Sequence, residues 1–166
     1  MNNQIILNKN KESNNQSGSR PQISYSNPLD QMRYIAALPY AHNSNILDIA
    51  CGIGWGSFLL ANANPKKVTG VDVSENAILS AKQNYCGEKI EYVRYSGDIL
   101  PFTDNSFDLI VSFETLEHVI DPNKFLSELH RVAKPESTLI LSTPNGYCTK
   151  KNKIDKPYNP FHLMEY

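Results

Sequence analysis

Two aspartates on either side of a glycine-rich stretch are the residues of this sequence with the clearest capacity for chemistry. Asp48 lies in a short apolar run of strand length, and Gly52, Gly54 and Gly56 follow it. A carboxylate among apolar residues is unfavourable unless it is paired or lies at a strand end facing a cleft. Glycines between a strand and a helix allow a sharp turn whose free N–H groups lie at the positive helix end. The stretch therefore predicts a loop that binds an anionic or strongly polar ligand, such as a phosphate or a carboxylate.

A second aspartate makes this prediction more specific. Asp72 ends the next apolar run, about twenty residues further on, where nucleotide-binding α/β folds place an acid on the ribose hydroxyls. The glycines alone are weak evidence, because the loop lacks the last glycine of G-x-G-x-x-G and a tight turn requires no ligand. Two acids at strand ends around such a loop indicate a binding site.

Alternating strands and helices position these acids. The predicted strands are residues 46–49, 68–71, 89–95, 107–113 and 138–143. Helices are predicted to begin at Pro28, after the glycine turn, after the capping residue Ser74 and at Pro122. Such alternation predicts an α/β fold with a parallel sheet, whose ligands bind outside the carboxyl ends of the strands. Four acids fall at such ends, namely Asp48, Asp72, Asp98 and Glu114.

Length and composition describe a single globular domain. The chain has 166 residues, of which 40% are hydrophobic, and its formal net charge is -1. Residues 1–22 are polar and rich in Asn and Ser, so we expect a disordered tail before a domain that covers residues 23–166. A nearly neutral chain has no strong field for holding nucleic acid, so no nucleic-acid partner is expected.

Hydropathy and cysteine usage indicate a cellular compartment. The sequence contains no apolar run of transmembrane length, and its N-terminus lacks the apolar core of a signal peptide. Cys51, Cys86 and Cys148 are odd in number and have no metal-ligand spacing, which favours reduced thiols. We therefore expect a cytoplasmic protein without membrane insertion.

Four segments of the chain resemble, in the same order, the motifs of class I S-adenosylmethionine-dependent methyltransferases of the type 11 kind. These segments are LDIACGIG at 47–54, VDVS at 71–74, SGDILPF at 96–102 and NSFDLIVSFETLEH at 105–118. The resemblance extends from about Gln31 to the end of the chain. Four ordered motifs are far more specific than one glycine loop.

The resemblance implies a fold in more detail than the alternation of elements does. It implies a Rossmann-like, doubly wound parallel sheet of strand order 3-2-1-4-5 with helices on both faces. Complete members of the family continue through two more strands, so this chain is expected to be truncated at its C-terminus and to lack them. The fifth strand is then expected to be an exposed edge, which favours pairing with a second copy as a homodimer.

The same resemblance assigns cofactor-binding roles around S-adenosylmethionine. Gly52 and Gly54 are expected under the amino-acid part with Asp48 nearby, and Asp72 on both ribose hydroxyls. Asp98 is expected at the adenine amino group, with the Ile99 amide at a ring nitrogen. Arg33 reaches the cofactor carboxylate in one interpretation and is a solvated surface residue in the other. The full predicted set is Arg33, Asp48, Ala50, Gly52, Gly54, Asp72, Val73, Asp98, Ile99, Phe113 and Glu114.

Catalytic side chains are harder to identify from the sequence. Methyl transfer is an in-line displacement, and a general base is needed only if the acceptor must lose a proton. Glu114 and His118 are the candidates, although helix capping or lining of the cofactor pocket is the more common role for such residues. No metal is expected, because Glu114, Glu117 and His118 have no evident further ligand.

The predicted function is transfer of a methyl group from S-adenosylmethionine to a small molecule or a cell-surface sugar. The ending Asn-Pro-Phe-His at 159–162 resembles that of proteins acting on such acceptors. One alternative is a non-catalytic module that binds the cofactor or a protein partner. The other is an NAD(P)-dependent oxidoreductase, which is disfavoured because Asp48 and Cys51 stand where a dinucleotide fingerprint has apolar residues and glycine.

Overall fold

The structure is a computed structural model that describes residues 28–95, 97, 99–146, 161–164 and 166. The tail predicted at 1–22 and the acid Asp98 lie outside the described residues. The helices are α1 (Pro28–Ala37), α2 (Trp55–Ala61), α3 (Glu75–Asn84) and α4 (Pro122–Val132). The strands are β1 (Asn45–Ile49), β2 (Lys67–Asp72), β3 (Ile90–Arg94), β4 (Phe107–Phe113) and β5 (Ala133–Ser142). Two 3₁₀ turns cover Leu38–Tyr40 and Leu116–His118.

The five strands form one parallel sheet in the order β3-β2-β1-β4-β5. This is the predicted order, and the Rossmann-like α/β fold is confirmed. Because all five strands run the same way, their carboxyl ends share one side of the sheet, where residues 50–54, 72–74 and 114–118 follow β1, β2 and β4. None of the described helices combines the length and the apolar character needed to cross a membrane.

Helices cover both faces of the sheet. Side chains that alternate along β1 illustrate this, because successive residues of a strand point to opposite faces. Ile46 belongs to the cluster that holds Tyr34 of α1 and Leu60 of α2, whereas Leu47 packs with Leu129 of α4. Asp48 shares the face of Ile46, so its carboxylate points towards the layer formed by α1 and α2.

Helix α1 begins at Pro28, as predicted, but it does not bury the apolar residues whose helical spacing predicts a core-facing side. Its apolar residues at helical spacing, Leu29, Met32 and Ile35, are exposed, and the buried side chains are Asp30, Tyr34 and Ala37. Tyr34 occupies the interior position because its ring buries a large apolar surface and its hydroxyl donates a hydrogen bond to a buried acceptor. The periodicity was sufficient to predict the helix but not its orientation.

Two other predictions need correction, one about the packing of α4 and one about the start of β5. The helical spacing of Phe125, Leu126, Leu129 and Val132 predicts that all four face inward. Leu126 is exposed, and the other three are buried. Strand β5 begins at Ala133, five residues before the predicted start at 138, and it directly follows α4. The pairing of β5 with β4 is irregular between Phe107 and Leu109. A bulge of this kind tolerates the proline near the start of β5, which regular strand pairing would exclude.

The helix starts that the sequence predicted by capping are confirmed. Ser74 accepts a hydrogen bond from the Ala77 amide at 3.3 Å, and Asp121 accepts one from the Lys124 amide at 3.0 Å. Each side chain satisfies an amide at the first turn of its helix that has no intrahelical partner. These caps fix where α3 and α4 leave the ends of β2 and β4.

Candidate functional site

The loop between β1 and α2 is shaped by residues in the left-handed region of backbone space. Ala50, Gly52 and Gly54 have φ angles of 57°, 56° and 90°. A Cβ built on Gly54 lies 2.6 Å from Tyr92 Oη, so close packing as well as backbone angle requires glycine there. A Cβ built on Gly52 meets no atom of the described part of the chain within 4 Å. The backbone at Gly52 therefore borders open space, and a ligand over Gly52 stays a prediction.

Asp72 connects this loop to the end of the neighbouring strand. Its Oδ2 accepts a hydrogen bond from the Gly52 amide at 3.0 Å, and its Oδ1 accepts one from the Ser74 amide at 2.8 Å. An ionised carboxylate offers about four lone-pair positions, so about two remain for a ligand. Asp72 is half-buried at the carboxyl end of β2. The structure thus brings together the glycine loop and Asp72, the acid that the sequence predicted to belong to the same site.

Asp48 lies behind the loop rather than beside its open side. The carboxylate is fully buried, and it accepts hydrogen bonds from the Tyr34 hydroxyl at 3.0 Å and the Ser57 hydroxyl at 2.6 Å. Burial raises the pKa of Asp48 to about 7, although its two hydroxyl donors act in the opposite direction. Burial and the adjacent Asp48 raise the pKa of Tyr34 well above its ordinary value. This geometry gives Asp48 the role of holding α1, β1 and α2 together beneath the loop.

Two exposed apolar side chains lie at the same end of the sheet. Val73 follows Asp72 and is 42% exposed, and Ile99 is 63% exposed. A Cβ built on Gly97 lies 3.4 Å from Val73 Cγ1, so the loop that carries Ile99 approaches the end of β2. Exposed apolar residues beside an acid suit a ligand that has both a flat apolar part and hydroxyl groups.

Arg33 and Glu114, both predicted at the cofactor, contact each other. Arg33 Nη2 lies 3.0 Å from Glu114 Oε1, and the Nη1 of the same arginine pairs with Asp30. Glu114 directly follows β4, has a φ of 50° and accepts a hydrogen bond from the Ser142 hydroxyl at 2.9 Å. The ion pair therefore joins α1 to the ends of β4 and β5. Both side chains remain about one quarter exposed, at 24% each.

The two remaining members of the predicted set differ in their surroundings. Ala50 opens the glycine loop and is half-buried. Phe113 is buried, and its ring packs edge-on against Tyr34 with centroids 4.9 Å apart. The described contacts of Phe113 are those of a core residue, and contact with a cofactor stays a prediction for both residues.

A cluster of titratable side chains follows β4. Glu117 is fully buried, with Oε2 accepting a hydrogen bond from the Thr143 hydroxyl at 3.0 Å and Oε1 lacking a hydrogen-bond partner among the residues that the structure describes. Burial is the main cause that raises the pKa of Glu117, and the nearby Glu114 adds to it. The rings of His118 and His162 lie edge to face with centroids 5.0 Å apart. Sequence reasoning identified His118 but gave His162 no role, because the two residues are distant along the chain.

A family model described as a methyltransferase domain matches residues 47–141 of the chain. This range includes the glycine loop, Asp72 and the residues that follow β4. A probable S-adenosylmethionine-dependent methyltransferase of Mycolicibacterium smegmatis is 33% identical over 121 residues, covering 73% of this chain and 46% of that protein. One of Mycobacterium tuberculosis is 32% identical over 135 residues, covering 81% and 48%. The chain spans about half the length of these curated relatives.

Other relatives are named for different methyl acceptors. A probable tocopherol O-methyltransferase of rice is 36% identical and covers 60% of this chain and 28% of that protein. Phosphoethanolamine N-methyltransferase 2 of Caenorhabditis elegans is 31% identical and covers 66% and 26%. A solved S-adenosylmethionine-dependent methyltransferase of Mesorhizobium loti is 28% identical with a TM-score of 0.64, covering 70% of this chain and 54% of the other.

Proposed function

Because this chain belongs to the methyltransferase-domain family, we propose that it binds S-adenosylmethionine and transfers its methyl group to a small molecule or a cell-surface sugar. The observation that carries the proposal is the hydrogen bond from the Gly52 amide to Asp72, which joins the two strand-end loops into one site. S-adenosylmethionine has an amino-acid part, a ribose and an adenine, and these loops offer a partner for each.

The proposed cofactor contacts follow from the accessible groups. The open space beside Gly52 receives the amino-acid part, since no side chain of the described segments obstructs the backbone there. Asp72 retains lone pairs for the ribose hydroxyls after accepting from two amides. Val73 and Ile99 present exposed apolar surface to the faces of the adenine. Asp48 supports this site from below through Tyr34 and Ser57 instead of contacting the cofactor.

The chain's contribution to the reaction is largely positioning. The transferred methyl group passes in line from the sulfonium to the acceptor, so holding the two reactants in line supplies much of the rate enhancement. The Arg33–Glu114 pair at the end of β4 orients one wall of this region. Glu114 is held by Arg33 and Ser142, so it is poorly placed to take a proton from an acceptor hydroxyl.

The experiment measures binding first and turnover second. The chain is titrated with S-adenosylmethionine, with its demethylated product and with NAD in a calorimeter. It is then incubated with methyl-labelled cofactor and separate panels of saccharides and small metabolites that carry hydroxyl or amine groups. Saturable cofactor binding with label transfer to one panel supports the proposal. Binding without transfer to any panel favours a non-catalytic module, and preference for NAD overturns the proposal.

A further inference from the structure

We propose that Glu117, His118 and His162 form a binding site for one divalent transition-metal ion of the Zn²⁺ class. The site lies after β4, outside the glycine loop and Asp72. It is a property of these three side chains, so it stands or falls independently of methyl transfer. Neither the family model nor the named relatives assign an ion to these residues.

The first support is the distance among the donor atoms. One carboxylate oxygen of Glu117 and one ring nitrogen of each histidine all lie within 4.8 Å of one another. Ligands of a tetrahedral zinc ion lie about 3.4 Å apart, since each metal–ligand bond is about 2.0–2.2 Å long. Movement of each donor by less than about 1 Å, through side-chain rotation, closes the set around an ion.

The second support is a buried oxygen without a partner. Glu117 has no exposed surface, and its Oε1 has no hydrogen-bond partner among the described residues. His162 Nε2 lies 4.0 Å from this oxygen, which is beyond hydrogen-bond distance. An unsatisfied buried carboxylate oxygen is costly, and a bound cation removes that cost. The orphan oxygen belongs to the residue that the donor distances select independently.

The third support is the hydrogen bond made by His118. Its Nδ1 lies 2.9 Å from the carbonyl oxygen of Phe161. A carbonyl oxygen only accepts, so Nδ1 carries the hydrogen, and in the neutral imidazole Nε2 then carries the lone pair. Metal-binding histidines are commonly held in this way by a carbonyl on the opposite ring nitrogen. This contact also holds the segment that carries His162. The residue after His162 donates its backbone amide hydrogen to the Glu117 carbonyl oxygen at 2.7 Å.

The ligand types select the class of ion. Two imidazoles with one carboxylate suit Zn²⁺, Fe²⁺ or Mn²⁺, whereas Mg²⁺ and Ca²⁺ prefer sites built from oxygen ligands. Three protein ligands leave a coordination position open, as in zinc sites that bind water or a substrate group.

The test measures metal binding by the full chain, prepared without a polyhistidine tag. Cys86→Ser and Cys148→Ser are introduced so that these two thiols do not take up metal. Metal-free protein is titrated with Zn²⁺ in competition with a chromophoric chelator and, separately, with Co²⁺ while visible absorption is recorded. We expect one ion per chain, with a zinc dissociation constant that rises about tenfold or more in His162→Ala and in His118→Ala.

The control variant is His130→Ala, which removes an exposed histidine from α4 and should leave zinc affinity unchanged. Circular dichroism establishes that each variant is folded, and Zn²⁺ should raise the melting temperature of the parent but not of His162→Ala. Failure of the parent to retain any ion overturns the proposal. Equal losses in His130→Ala and His162→Ala, or no loss in either cluster variant, overturn it as well.

Discussion

Tyr34 of α1 donates its hydroxyl hydrogen to Asp48 of β1 over 3.0 Å, and both side chains are buried. The Ser57 hydroxyl of α2 donates a second hydrogen bond to the carboxylate at 2.6 Å. One buried acid therefore links the central strand to the two helices packed on that face. The glycine loop begins two residues later, so its shape depends on this linkage.

Replacing Tyr34 by Phe removes one donor and leaves a buried carboxylate oxygen unpaired. We expect Tyr34→Phe to lower the free energy of unfolding by about 1–3 kcal/mol, because the desolvation cost of the oxygen is no longer offset. Urea denaturation followed by circular dichroism measures the change. Tyr40→Phe is the matched control, since Tyr40 is exposed and its variant should differ little from the parent. Equal stability of the Tyr34→Phe variant and the parent would contradict the role given to this bond.

The raised pKa of Asp48 predicts a pH dependence of stability. In the folded chain its pKa is about 7, against an ordinary value near 3.8. Ionisation is therefore harder in the folded state, so this group's stabilising contribution is complete below about pH 4 and is lost as the pH rises through about 7. The loss is on the order of 4 kcal/mol at most.

Asp48→Asn is the variant that isolates this effect. Asparagine retains a carbonyl acceptor but cannot ionise, so the difference in unfolding free energy between the parent and the variant should change between pH 4 and pH 8. Other carboxylates titrate in both proteins and cancel in that difference. A difference that is constant across this range would show that Asp48 does not titrate as its burial implies. Urea melts at closely spaced pH values provide the measurement.

Asp72→Ala tests the proposed cofactor site directly. We expect the loss of a charge-assisted interaction with the ribose to weaken S-adenosylmethionine binding by about 1.5–3 kcal/mol, or roughly tenfold to a hundredfold in Kd. Glu88→Ala removes an exposed carboxylate from the turn before β3 and should bind as the parent does. Calorimetric titration measures all three proteins. Unchanged affinity in Asp72→Ala would place the ribose elsewhere.

Glu136 of β5 occupies a backbone conformation that favours glycine. Its φ is 67°, in the left-handed region, and its side chain is exposed. Left-handed geometry costs a non-glycine residue about 1–2 kcal/mol, and substitution by glycine removes that cost. Glycine has greater freedom in the unfolded chain, which cancels part of the resulting gain in folding stability. We expect Glu136→Gly to raise the free energy of unfolding by about 0.5–1 kcal/mol. Thermal and urea denaturation measure the change, and Glu136→Ala, which retains the strain, should not gain stability.

Strand β5 is the basis for the proposed homodimer. It pairs with β4 on one side, and no strand among the described residues pairs with its other side. Leu139 of this strand is 46% exposed. If two copies pair through β5, Leu139→Lys should convert a dimer to a monomer, because charge on an edge strand disfavours pairing. Sedimentation analysis of parent and variant at several concentrations decides this, and a parent that is monomeric throughout refutes the pairing.

The sequence by itself determined the elements of the fold and their order along the chain. Local signals predict these elements without the structure, because each acts over only a few residues. They are the apolar runs of strand length, the capping residues Ser74 and Asp121, and the glycine turn. Family motifs extended this to the strand order and to Asp72 at the glycine loop. These features follow from local backbone preferences and from the shared direction of parallel strands.

Only the tertiary structure decided which side chains meet across elements. It placed Asp48 between Tyr34 and Ser57, and it showed that Tyr34, rather than the exposed apolar residues of α1, faces the core. It also brought His162 to Glu117 from a distant part of the chain. Such contacts depend on how helices pack on the sheet and where the chain returns, and periodicity over a few residues carries no information about either.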